Sequence, residues 1–176
     1  MENKKNFFKT KDNAVKYIYT KLDNPTPIKL QKALYFVWAF YAATYGNVDT
    51  NESEIKDSDV SYPEHLFEPN FEAWKYGPVD PDVWENNNGG NIEPVNLDNV
   101  DSLINISNKS VINDILSFVD DMINQVKDVN DFGLVNRSHE DSAWRDVWKD
   151  NFLHIKMDPA EIKKDYVKYV EEQGML

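Results

Sequence analysis

Three histidines, His65, His139 and His154, are the only imidazoles in the chain. No two of them stand four apart, the spacing that puts two metal ligands on one helix face. His139-Glu140 opens like a zinc-protease helix, but Ala143 occupies the place of the second histidine. Cysteine is absent, which removes disulfides, thiolate metal sites and a thiol nucleophile. There is no glycine-rich phosphate loop and no G-x-S-x-G elbow. Asp57, Asp59, Glu64 and Glu68 lack the spacing and the glycine of a calcium loop, so they read as solvated acids. His139, between Arg137 and Glu140, can be a general base only beside a nucleophile or substrate. Its expected role is to lock a turn by hydrogen bonding. The expectation is a protein with no metal, no cofactor and no catalysis of its own. The enzymatic alternative pairs His139 with a nearby carboxylate.

The remaining chemistry is aromatic. Trp74, Tyr76, Trp84 and Trp144 are candidate interface anchors, because aromatic side chains dominate binding hot spots. Trp144 shares a helix face with Val147 and Trp148, which favours a core role. Trp74 and Tyr76 straddle Lys75 beside Gly77-Pro78, and either a core plug or an exposed wedge fits them.

These side chains must be positioned by a mainly α fold. Thr10 can cap a first helix carrying Ala14, Val15, Ile18, Tyr19 and Leu22, and Asn24-Pro25 ends it. Thr26-Pro27 starts a helix over about 27–45, apolar around most of its circumference, that belongs at the centre of the core. Gly46 suits the position just past its end. Residues 47–70 read as a long acidic loop. Short strands are expected near 71–79 and 92–97, the second equally readable as an extended stretch. Asp80-Pro81 starts a short helix with Val83 and Trp84. A long helix over about 109–129, capped by Ser107 or Asn108, carries an apolar stripe from Val111 to Val126. Short helices follow over 131–139 and after Asp141 or Ser142. Asp158-Pro159-x-Glu161 opens the last helix in the manner of a capping box. With no repeat and no linker, residues 1–176 are expected to form a single domain.

Charge is distributed unevenly. The chain carries 31 acids against 19 Lys and Arg, a net −12. Residues 1–32 hold eight Lys and three acids, whereas residues 46–102 hold fourteen acids and two Lys. This balance disfavours coating nucleic acid or docking on anionic membrane. No arginine precedes Arg137, so base readout by the basic front segment is also disfavoured. No run of ~18 apolar residues is present for a membrane span, and Met1–Lys11 lacks the apolar stretch of a signal peptide. A cytoplasmic location fits.

Pro27-Ile28-Lys29-Leu30-Gln31-Lys32-Ala33-Leu34-Tyr35-Phe36 resembles the opening helix of the SocA-like antitoxins, or Panacea domain, and Tyr45-Gly46 its close. Phe71-Glu72-Ala73-Trp74-Lys75-Tyr76-Gly77-Pro78-Val79 resembles the family's most diagnostic block. Pro81 and Trp84 fall where that family has a proline and an aromatic. Ser138-His139-Glu140-Asp141-Ser142-Ala143-Trp144 resembles its T-H-x-x-x-P-W, with Ser138 for threonine and Ala143 for proline. The resemblance covers about residues 14–170. It implies an antitoxin that neutralises a toxin by direct contact, in a family that serves many toxin types and occurs in phages and mobile elements. Trp74, Lys75, Tyr76, Gly77, Pro78, His139 and Trp144 are then the candidate partner-binding residues. The charge pattern points to a basic protein partner. Two alternatives are an acidic nucleic-acid mimic that blocks a host nuclease or immune protein, and an adaptor that delivers its toxin to a protease. Oligomeric state is left open.

Overall fold

The computed structural model describes residues 5–46 and 60–174. Helix α1 (Lys11–Leu22) begins where Thr10 Oγ1 accepts the amide of Asn13. It stops because Asp23 and Asn24 both turn into the left-handed region, at φ 58°, ahead of Pro25. Short polar residues tolerate that region better than most. Thr26 caps α2 (Pro27–Thr44) by accepting from Lys29, with Pro27 in the first turn. Its hydroxyl also donates to Asp131, which ties this helix start to that of α5 (Asp131–Ser138).

Helix α2 lies at the centre. Thirteen of its eighteen residues are buried. It packs against α1, α5, α3 (Pro81–Asn88), α4 (Lys109–Asp128) and α7 (Pro159–Glu172). Each fully buried aliphatic side chain, such as Leu30 or Val37, stabilises the fold by about 1.5–3 kcal/mol. One continuous apolar cluster runs through every helix. Gly46 does follow the helix end, but for a reason other than left-handed capping. A Cβ there would lie 2.6 Å from the Glu64 carbonyl oxygen and 2.7 Å from that of Ala42. Only a residue without a side chain permits that approach.

The long helix α4 is capped by Asn108, whose Oδ1 accepts from Ser110 and Val111. Its apolar stripe faces α1 and α2. Asp120 accepts from the Tyr17 hydroxyl at 2.6 Å and from Lys21 at 3.0 Å. The 92–97 stretch forms no strand. It runs without regular pairing into a 3-10 segment, Leu97–Leu103, that Asn96 caps. Its apolar positions are only half-buried, and Val95 gives its amide to Thr20 Oγ1 instead of to a strand. Of the acidic 47–70 segment, residues 47–59, with Asp57 and Asp59, lie outside the described residues.

Two helix starts differ in detail from expectation. Asp158 caps α7 through the amide of Ala160, but Glu161 pairs with Lys164 rather than reaching back. Asp141 precedes α6 (Ser142–Arg145), yet its carboxylate makes no capping bond. It turns inward and accepts from Tyr35, Tyr166 and Arg137 at 2.7, 2.7 and 2.8 Å. Asp165 of α7 caps in its place, accepting the Ala143 amide at 2.7 Å and bonding the Ser142 hydroxyl.

Candidate partner-binding site

The aromatic block folds into a hairpin of β1 (Glu72–Trp74) and β2 (Gly77–Val79), paired Glu72 with Val79, Ala73 with Pro78 and Trp74 with Gly77. Lys75 and Tyr76 are the turn. Gly77 closes it at φ +97°, a conformation that side chains resist. The other edge of β1 is covered. Ala73 donates to Ile155 at 2.8 Å, and Met157 donates to Phe71 at 2.9 Å. Three residues per strand make a weak sheet alone, so the hairpin depends on what lies beneath it.

Four buried contacts fix the hairpin from below. Lys32, only 1% exposed, donates from Nζ to the Pro78 carbonyl at 2.9 Å. Burial lowers its pKa from 10.5 to about 7, since the charged form is poorly solvated there. Gln31 holds the Asp80 peptide from both sides, accepting its amide at 2.8 Å and donating to its carbonyl at 3.3 Å. Trp144 donates from Nε1 to the Trp74 carbonyl at 2.8 Å. Gly77 rests on Ser138 and Lys32, so closely that a Cβ would lie 2.3 Å from Ser138 Oγ. At the hairpin's far end, Asp80 caps α3 through the amide of Val83 and pairs with Lys11 at 2.9 Å. Burial opposes the charge on Lys11, but Asp80 and Asp82 together raise its pKa above the ordinary value.

An aromatic ladder leads outward from this base. His139 stacks on Trp144 at 3.9 Å, and Trp144 stacks on Trp148 at 5.2 Å. Burial lowers the pKa of His139, and the nearby charge of Lys32 acts in the same direction. His139 Nε2 is buried and has no hydrogen-bond partner among the described residues. Its ring is held chiefly by stacking, with a backbone interaction at Lys75. Trp148 then lines a surface groove of about 400 Å3 with Trp74, Lys75 and the loop 149–154. Under the groove Glu72, 4% exposed, accepts from Trp74 Nε1 at 2.9 Å and meets His154 Nδ1 at 3.3 Å.

The seven candidate residues therefore gather around one hairpin, in two layers. Lys75 and Tyr76 are exposed, Tyr76 by 51%, and Trp74 and His139 are half-buried. Gly77, Pro78 and Trp144 are buried, so they shape the surface rather than line it. Trp84 meets Trp74 edge to face at 5.7 Å. His65 stacks on Trp38 at 5.4 Å. No group of three metal-ligating side chains gathers among the described residues, and no described helix is long and apolar enough to cross a membrane.

Sequence reasoning missed Gln31, Lys32, Asp141 and the loop 149–154. A signal for the first two existed. A helix apolar around its whole circumference buries whatever polar residues it contains, and Gln31-Lys32 sit in its second turn. For Phe152 and Leu153 the sequence offers only two adjacent apolar residues outside any helical pattern.

Residues 58–145 match the family described as antitoxin SocA-like, Panacea domain. No curated protein and no solved structure matches the chain.

Proposed function

The chain belongs to the SocA-like antitoxin family, Panacea domain, and we propose that it neutralises a partner toxin by binding it directly, without a reaction of its own. The observation that carries this reading is the hairpin. Its underside is fixed by Gln31, Lys32 and Trp144, while its turn presents Lys75 and Tyr76 to solvent beside an aromatic groove. A rigid platform with exposed aromatic anchors loses little entropy on binding, which suits tight protein recognition. The three histidines support non-enzymatic action, since among the described residues His65 stacks on Trp38, His139 stacks on Trp144 and His154 meets Glu72. The net charge of −12 supports a partner that is basic overall, because long-range attraction accelerates encounter.

The test is co-expression with the product of the neighbouring reading frame. Growth arrest by that product alone, relieved by this chain, is the expected result. Tyr76→Ala and Trp74→Ala should lose rescue while remaining folded. Rescue that survives both changes would place the interface elsewhere.

A further inference from the structure

We propose that the groove between the hairpin turn and the loop 149–154 is the docking surface for an apolar segment of a protein partner, flanked in that partner by acidic residues. The proposal rests on the antitoxin reading for the identity of the partner, but not for the surface itself.

Apolar exposure marks the place. Phe152 is 64% exposed and Leu153 84%, next to a groove walled by Trp74 and Trp148. Tyr76 stands at the adjoining turn, so three of the described large apolar side chains that face solvent lie in one neighbourhood. Scattered apolar residues on a surface are ordinary, but a contiguous group beside an aromatic cleft marks an interaction site. The groove's volume is also within the range of ligand-binding clefts, about 300–1,000 Å3.

The loop is held in this outward form. Trp148 is stacked on Trp144 at one end, and Ile155 accepts from Ala73 in β1 at the other. Between them Asn151 and His154 adopt left-handed backbone, at φ 65° and 58°. A residue other than glycine resists that conformation. It persists here because Asp150 Oδ1 accepts the Asn151 amide and His154 leans on Glu72. With the backbone turned this way, Phe152 and Leu153 face solvent and stand outside the apolar cluster of the described residues.

The rim supplies the charge. Lys75 and Lys149 are both exposed, and neither pairs with a carboxylate among the described residues. Lys75 lies over the ring of Tyr76 at 5.7 Å. Among the described residues that line the groove Asp150 is the one exposed acid, and His154 adds an exposed ring. Glu72 beneath them is buried and already engaged by Trp74 and His154. On a chain of net −12 this rim is locally cationic. An apolar floor inside a lysine rim complements an apolar segment with flanking Asp or Glu. The two charge arguments act at different ranges. The net charge biases diffusional approach, an effect that salt screens over about 8 Å, whereas the rim governs what seats in contact.

The test uses the full chain as bait for a display library of random peptides of about 16 residues, the span of a short recognition helix or strand. Affinity of the selected peptides is read from the fluorescence of the groove tryptophans. The expected winners carry aromatic or leucine residues flanked by Asp or Glu. Their affinity should fall at least about tenfold for Phe152→Ser with Leu153→Ser. Lys75→Glu with Lys149→Glu should shift selection toward Lys- and Arg-flanked peptides. Circular dichroism melts of these surface variants should match the parent. Winners flanked by Lys or Arg on the parent chain, winners indifferent to the serine pair, or no enrichment would overturn the proposal. So would a concentration-dependent dimer that the serine pair dissolves, since a second copy would then be the occupant. Growth rescue separates this failure from that of the antitoxin reading. If both double variants rescue as well as the parent, the groove proposal falls and the antitoxin reading stands. If the parent itself does not rescue, the antitoxin reading falls, and the peptide arm alone decides the surface.

Discussion

Lys32 Nζ on α2 lies 2.9 Å from the carbonyl oxygen of Pro78, and with the Gln31 bonds to Asp80 it joins the central helix to the underside of the hairpin. An ammonium has three donors, and here a single carbonyl receives one of them. Burial away from water, which penalises the charged form, is the physical source of the lowered pKa, about 7. The unfolded chain keeps a proton on Lys32 up to its ordinary value of 10.5, and the folded chain only up to about 7. Between those values the unfolded state binds more protons, so this group makes folding stability rise with pH across that window. Below about pH 7 both states are protonated and the slope vanishes. One such group contributes at most about 1.4 kcal/mol per pH unit. Urea denaturation between about pH 6.5 and 9.5 should show the rise. Lys32→Met should flatten it, and an unchanged slope in that variant would assign the effect to other groups.

Gly77→Ala should be costly. The φ of +97° disfavours any Cβ, and the added atom would press on Ser138 Oγ at 2.3 Å and on Lys32 Cε at 2.9 Å. Backbone strain of about 1 kcal/mol and overpacking of about 1–3 kcal/mol add to a loss of about 2–4 kcal/mol. Chemical denaturation measures it. A loss under about 1 kcal/mol would mean that the hairpin turn is free to shift.

Tyr76→Ala and Trp144→Ala should separate binding from stability. Tyr76 is exposed in the turn, so its removal should change stability by no more than about 0.5 kcal/mol while weakening partner capture. Trp144 is buried, stacks on both His139 and Trp148, and bonds the Trp74 carbonyl. Its loss should cost about 3–5 kcal/mol and disorder the groove wall with it. Thermal melts and pull-downs on the same preparations distinguish the two behaviours.

Asp141→Ala should be among the most damaging single changes. It leaves the hydroxyls of Tyr35 and Tyr166 and the guanidinium of Arg137 without their shared acceptor. Breaking a buried charged pair from one side costs about 3–5 kcal/mol. Burial raises the Asp141 pKa, and the bonds from Tyr166, Tyr35 and Arg137 oppose that rise. Asp141→Asn keeps an acceptor and should be milder. Equal losses in the two variants would argue that packing, not charge, holds the node together.

The elements legible from residue order are those with enough positions to show a period or a cap. Helix α2 declares itself by Thr26-Pro27 and an eighteen-residue span that is apolar around most of its circumference, and α4 by its stripe. The hairpin shows only as aromatic density, because three residues per strand cannot establish alternation. Ile92–Leu97 looked extended for the same reason in reverse. Its apolar residues suggest a strand, but none of the described strands pairs with it, and Asn96 turns the chain into a 3-10 segment. Asp141 reads as a helix cap from its position alone. Its true partners stand at positions 35 and 166, a relation between distant segments that local spacing does not encode. The same holds for Trp144, whose indole reaches back seventy residues to Trp74. Family resemblance groups Trp74, Tyr76, His139 and Trp144 in the sequence, whereas the division between its exposed and buried members needed coordinates.

The substitution of Asp165 for Asp141 as the cap of α6 bears on how small an autonomous piece of this protein can be. The segment that matches the family runs from 58 to 145. It contains the hairpin, α4, α5 and α6, yet not α2 or α7. Excised at those bounds, it would lose the carboxylate that closes the start of α6, the Tyr35 and Tyr166 hydroxyls at Asp141, and the Lys32 prop under Pro78. The stretch that matches the family therefore leaves out contacts on which its own hairpin and α6 rest. Any minimal fragment made for binding work has to retain the helices on either side of it, from α2 through α7.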